Sequence, residues 1–181
     1  MPATLVMVRQ NRLSECWFTL GKEGKRILEA DICDEVRLER MLPKQRQHLL
    51  GINDVRISAE LTSNLSYFFA CWELPGLGWD RVVIPDAVFS LGGKKVVLEY
   101  DRGFENTQFF VTTKMAAYRQ GLSGLPLSEI LVTSDSPAWL NALRRAVGDE
   151  RVVYTTIEKI RQEGLPRSLS GMGSSSKVRH A

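Results

Sequence analysis

Gly92-Gly93 restricts what this chain can fold into more than any other pair of residues in it. Before it runs Val82-Val83-Ile84-Pro85-Asp86-Ala87-Val88-Phe89-Ser90-Leu91, and after it Lys94-Lys95-Val96-Val97-Leu98-Glu99-Tyr100-Asp101, both apolar and β-branched. Two glycines between two such runs signal a two-residue β-hairpin, because both turn positions favour positive φ. With Leu91 and Lys94 flanking the turn, Asp86 falls opposite Glu99. Side chains alternate along a strand, so Glu99 and Asp101 share a face, and Asp86 joins them there. Directly opposed residues hold their Cβ atoms roughly 4.5–5.5 Å apart, and like charges so placed repel. A fold that keeps them neutralises them with a cation or leaves some of them protonated. Magnesium is bound by one or two carboxylates plus substrate phosphates, so Asp86, Glu99 and Asp101 form a candidate site for Mg²⁺ or Mn²⁺. The alternative is a solvated hairpin face whose repulsion Lys95 softens. A register slip of one residue would take Asp86 off the shared face.

The rest of the composition narrows the class without naming a chemistry. The 181 residues suit one domain, or one domain with a fragment of another, and 44% hydrophobic and 25% charged residues are those of a soluble globular protein. No run is long enough to predict a membrane span, and the first eight residues lack the charged leader of a signal peptide. The three cysteines, Cys16, Cys33 and Cys71, are odd in number and widely spaced. They support neither a zinc ribbon nor a disulfide framework, and a cytoplasmic setting is expected. The net charge of +3 sits in residues 161–181, which carry four basic groups and one acidic group. Such a tail is either a solvated end or a contact for nucleic-acid phosphates.

Along the chain, Glu15 to Leu20 reads as a short strand. Residues 25–41 carry a helical apolar period that ends at Pro43, and a second helix is expected from Gln45 to about Thr62, with Gly51 an odd residue in its interior. Leu65 to Leu74 reads as an aromatic-rich strand. After the hairpin, Glu105 to about Gln120 reads as a helix with Gly121 as its stop. Glu129–Ser134 is a buried-strand type of run, Ser136-Pro137 an N-cap and first turn, Arg151–Thr155 a last strand, and Ile157–Glu163 a short helix. Pro, Ser and Gly dominate residues 164–181, which are expected to be a disordered basic tail. Early strands form hairpins and later ones alternate with helices. The predicted fold class is therefore α/β (mixed α+β), a central mixed sheet flanked by helices.

Lys114 and Tyr118, four apart on the helix after the hairpin, share a face from which both could reach the carboxylates. The plainer alternative is a surface lysine and a half-buried tyrosine. The chain has only two histidines, His48 and His180. A lone His48 reads as a packing or capping residue, and histidine-based metal chemistry is not indicated. No phosphate-binding glycine motif and no nucleophile elbow is present.

The series Ile84-Pro85-Asp86, Leu98-Glu99-Tyr100-Asp101-Arg102-Gly103 and Lys114-Met115-Ala116-Ala117-Tyr118 resembles the replication-relaxation family of plasmid and mobile-element proteins. His48-Leu49-Leu50-Gly51-Ile52-Asn53-Asp54-Val55-Arg56 is similar to that family's helix before the core. Trp17-Phe18-Thr19-Leu20-Gly21-Lys22-Glu23-Gly24 resembles the wing of its winged helix. Only sixteen residues precede Trp17, so the resemblance implies a partial winged-helix remnant and linker helix over 1–42, a core over 43–163 and the tail over 164–181.

More widely, the core resembles PD-(D/E)xK nucleases, which implies a restriction-endonuclease-like fold with Asp86 and Glu99 holding Mg²⁺. Asp101 stands where the nuclease lysine is usual, and Lys114 would supply the displaced ammonium group. Asp101 would then be a third ligand or an orienter of water, and Tyr118 a packing residue or, less simply, a nucleophile. The implied function is Mg-dependent nicking or relaxation of DNA, with replication or mobilisation proteins as further partners. The competing expectations are a non-catalytic DNA-binding accessory protein and an interaction module whose acids are surface charge.

Overall fold

The computed structural model describes residues 5–8, 17–20, 43–77, 83–119 and 129–169. Residues 1–46 and 47–181 form two compact units. In the first, β1 (Leu5–Val8) and β2 (Trp17–Leu20) pair antiparallel, Leu5 opposite Leu20 and Val8 opposite Trp17. The helix expected at 25–41, the stop at Gly121 and residues 170–181 lie outside the described residues.

Helix α1 (Pro43–Glu60) opens on Pro43, whose missing N–H costs nothing in a first turn. Then come β3 (Leu65–Ala70), β4 (Ala87–Leu91) and β5 (Lys94–Asp101). Helix α2 follows, over residues 107–119, and then β6 (Glu129–Ser134). Helix α3 (Pro137–Val147), β7 (Val152–Thr156) and α4 (Ile157–Glu163) complete the order. The sheet runs β3-β4-β5-β6-β7, antiparallel from β3 to β5 and parallel from β5 to β7. The mixed α/β expectation therefore holds. β5 and β6 lie at the centre, covered on both faces, which is why their sequences are near-continuous apolar runs.

The hairpin forms in the expected register, with Leu91 opposite Lys94 and Ala87 opposite Leu98. Gly92 and Gly93 take φ of 58° and 80°, the pair of positive values that suits the twist of a two-residue turn. One face of the sheet packs Ala87, Phe89, Leu98 and Tyr100 against Ile52, Val55 and Ala59 of α1 and Ile157 and Ile160 of α4. The opposite face packs Val88, Val97, Ile130 and Val132 against α2 and α3, chiefly Phe110, Met115, Tyr118, Trp139 and Leu143.

Two local departures follow from packing. Gly51 lies against the ring of Tyr100, and a methyl group at that position would overlap the ring, so a residue that weakens a helix is required here by contact. Residues 164–169, read from composition as the start of a disordered tail, are instead folded. Leu165 and Leu169 are buried in the α1/α4 core, and the Lys94 ammonium donates to the Ser168 carbonyl at 2.9 Å. Two leucines in a Gly/Pro/Ser-rich segment supply enough apolar area to dock it.

Candidate functional site

The acidic residues gather where β5 ends and β4 begins. Regular pairing stops at Ala87 and Leu98, one residue short of Asp86. The next hydrogen-bonded pair would match Pro85 with Tyr100, and a proline has no N–H to return. Asp86 fills the gap. Its own N–H donates to the Leu98 carbonyl at 3.0 Å, and its Oδ2 accepts the Tyr100 N–H at 2.7 Å. The side chain is thereby fixed at the sheet end.

Glu99 is buried among apolar neighbours, 2% exposed. Its Oε2 accepts from the Lys114 ammonium at 2.8 Å, and its Oε1 accepts from the Tyr118 hydroxyl. Burial and then the charge of Asp86 push the Glu99 pKa upward, while Lys114 and Tyr118 hold it back. Asp86 and Glu99 thus influence one another electrostatically, but the expected shared face is not kept: Asp86 is bonded to His48 of α1, on one side of the sheet, and Glu99 to Lys114 and Tyr118 of α2, on the other. Burial disfavours the Lys114 cation, but Glu99 and Glu105 outweigh it, so Lys114 stays protonated. Its second contact is Glu105 Oε1, at 3.0 Å. Tyr118 is 1% exposed. Burial and the neighbouring Glu99 carboxylate raise its pKa, which makes it a poor oxygen nucleophile.

A widened turn in α2 makes this meeting geometrically feasible. Residues Phe110–Met115 form a π-helical segment between two short α-helical ones. The wider turn lets Phe110 and Met115, five apart, both face the core, while Lys114 and Tyr118 both reach Glu99.

Asp101 shares the strand face with Glu99 but turns to its own loop. Its Oδ1 accepts the N–H groups of Gly103 at 2.6 Å, Phe104 at 2.8 Å and Glu105 at 3.1 Å. A carboxylate receiving three main-chain donors is an anchor for the loop, and little of its acceptor capacity is left for a metal ion.

His48 is the residue that sequence reasoning passed over. Its Nε2 lies 2.8 Å from Asp86 Oδ1, and its ring meets that of Tyr100 at 5.2 Å between centroids. Burial disfavours its cation, but the hydrogen bond and charge of Asp86, with Asp101 and Glu99 behind, raise its pKa above the ordinary value. The one signal in the sequence was its place: His48 heads the helical stripe that continues through Gly51, Ile52 and Val55 into the core. Glu105, the second partner of Lys114, was not singled out either.

Among the described residues, no three of His, Cys, Asp and Glu are arranged to enclose a metal ion. A three-carboxylate cage therefore does not fit. Asp86 and Glu99 keep some acceptor capacity for a lesser demand. Each of their oxygens already accepts one hydrogen bond, and a carboxylate oxygen keeps a second lone pair. Two such groups match the habit of magnesium, which takes one or two carboxylates and completes its shell with water and phosphate.

A buried acid with an ammonium group beside it, near the end of a central strand, defines the class of a polar site built into a mixed α/β core. Residues 5–124 match the family profile described as Replication-relaxation, and the chain belongs to the replication-relaxation family. Membership associates it with the replication of plasmids and mobile elements and with DNA as a partner. The match takes in His48, Asp86, Glu99, Asp101, Lys114 and Tyr118 and ends before β6. No curated protein and no solved structure matches the chain. Among the described residues, no helix is long and apolar enough to cross a membrane.

Proposed function

We propose that this chain is a DNA-processing protein of a plasmid or other mobile element, with a restriction-endonuclease-like core that nicks or relaxes DNA with Mg²⁺ or Mn²⁺. The observation that carries the reading is Lys114 Nζ at 2.8 Å from the buried Glu99, whose carboxyl also feels the charge of Asp86. Stability alone gives little reason to bury such a group, since an apolar residue there would fold as well. In this reading Asp86 and Glu99 hold the ion, which when bound would polarise a phosphodiester and acidify a water. Lys114 stabilises charge developing on the phosphate. Tyr118 and His48 fix the two carboxylates, each by one hydrogen bond. Asp101 shapes the loop beside them. In the first unit, the β1–β2 pair would be what is left of a wing.

The second reading is a DNA-binding accessory protein without catalysis, working beside replication or mobilisation proteins. It is favoured by the full set of hydrogen bonds that Asp86 and Glu99 already make within the protein. Supercoiled plasmid incubated with Mg²⁺ separates the two. Nicking predicts an open-circular product with the parent chain and a loss of at least about 100-fold in Glu99→Ala, the scale of one removed electrostatic group. Measurable DNA binding with no open-circular product at any protein concentration would overturn the catalytic reading and leave the accessory one.

A further inference from the structure

Three of the exposed large apolar side chains border the acidic site in sequence: Ile84, two residues before Asp86; Phe104, three after Asp101; and Phe109, five before Lys114. Phe104 is the most open of these, 78% exposed. The loop that presents it is not loose. Asp101 takes three of its main-chain N–H groups, and the Trp139 indole donates to the Glu105 carbonyl at 2.8 Å. Gly103 holds φ of 86° and packs so closely on Ser136 that a Cβ would come within 2.6 Å of that residue's Cβ. The fold therefore fixes a loop firmly and uses it to hold a phenyl ring out in water. The Arg102 guanidinium stands 5.4 Å from the centre of that ring and is itself steadied by Asp135, with Nε to Oδ2 at 3.3 Å.

We propose that residues 102–104 form a stacking platform for an unpaired nucleic-acid strand, with a base laid on Phe104 and Arg102 supplying the cation at its edge. The inference rests on DNA being the partner of the site. An aromatic ring held open on a rigid turn beside a guanidinium is what single-strand binders present, since every base has a π-face and a duplex hides it. A protein partner would need a continuous apolar area, whereas here the ring has the Arg102 guanidinium against it, itself paired with Asp135. Position gives the platform its use. The loop joins β5, which carries Glu99, to α2, which carries Lys114, so a strand stacked on it runs past both.

The test is binding of a fluorescently labelled single-stranded oligonucleotide of about 20 bases, followed by anisotropy in EDTA so that no cutting intervenes. Phe104→Ala is expected to weaken binding by about 5- to 150-fold, the worth of one stacked base. Phe104→Tyr should bind within about twofold of the parent, because its ring keeps the stacking face. A blunt duplex of the same sequence should lose far less in Phe104→Ala. Circular dichroism melting checks that each variant is folded, which the exposure of Phe104 favours. Unchanged single-strand binding in Phe104→Ala overturns the platform. So does Phe104→Leu binding as tightly as the parent, which would mark plain apolar contact and a protein-docking surface. If the parent binds duplex but not single strand, the platform fails and the DNA reading stands. If it binds neither, both fail.

Discussion

The two faces of the sheet follow opposite rules. Against α1 and α4 the cluster is aliphatic and aromatic, from Ile52 and Val55 to Leu98 and Ile160, with polar groups only at its rim, where Tyr100 meets His48 and Asp135. Against α2 and α3 the same sheet carries a carboxylate, an ammonium group and a phenol in contact, with Glu99 2% exposed. The first face is what folding needs. The second sets a desolvated charge into a core, which an isosteric apolar residue would avoid at no loss and often with a gain. The contrast teaches where this chain gives up stability, and a place where stability is given up is where function is to be sought.

The largest effect should come from the apolar face. Leu98 is fully buried between α1 and α4, so Leu98→Ala should lower unfolding free energy by about 2–5 kcal/mol, read from urea titration. Because it touches no titratable group on the other face, it should leave divalent-ion binding by the folded fraction intact. A smaller loss, with ion binding gone, would show that the two faces are not independent.

Next in size is the charged face. Lys114→Met leaves Glu99 buried beside Asp86 with Tyr118 as its remaining side-chain partner, and should cost about 2–3 kcal/mol, less than a fully buried pair because Lys114 is partly open to water. Adding Glu99→Gln removes the stranded charge, so the double variant should recover to within about 1 kcal/mol of the parent while binding no divalent ion. Equal losses in the single and double variants would mean that Lys114 matters for packing alone, and the comparison would lose its basis.

The elements that could be read from the sequence were those fixed by local chemistry. Gly92-Gly93 set the hairpin, Ser136-Pro137 opened α3 with the Ser136 hydroxyl accepting from the Trp139 N–H, and the run Glu129–Ser134 gave a buried strand. The gathering of Glu99, Lys114 and Tyr118 was legible in part: strand parity and a four-residue helical spacing brought them together on paper, while the widened turn of α2 carried no sign in the sequence. What was not legible depended on an interruption or on distance. The ladder stops at Ala87 because Pro85 cannot donate, and that turns Asp86 from a rung into a cap for Tyr100. His48 meets Asp86 across 38 residues, through a helix docking that no local pattern encodes. Asp101 carried a readable sign that went unused: Asp-x-Gly after a strand is the sequence of a turn held by its own carboxylate.

The smallest effect sharpens the comparison most, because Glu99, on the α2 and α3 face, produces most of it. Glu99 has its pKa raised on folding, so the native state keeps a proton at pH values where the unfolded chain has already released it. Its contribution to stability is therefore full below the unfolded value, about 4.3, and is lost as pH rises through the folded value. His48, also raised, acts in the same direction: its share is full below the unfolded value of about 6.5 and fades as pH rises through its folded one. Stability of the metal-free protein should thus decline from about pH 5 toward alkaline pH by an amount of order 1 kcal/mol, tenfold in proton affinity being worth about 1.4 kcal/mol. Glu99→Gln should flatten most of that decline, and His48→Gln the part above about pH 6.5, followed by urea midpoints in EDTA. Leu98→Ala should shift the whole curve down and keep its slope, since it removes no titratable group. A decline that survives Glu99→Gln unchanged would place the pH-sensitive charge somewhere other than the buried face, and would remove the reason for regarding that face as the exceptional one.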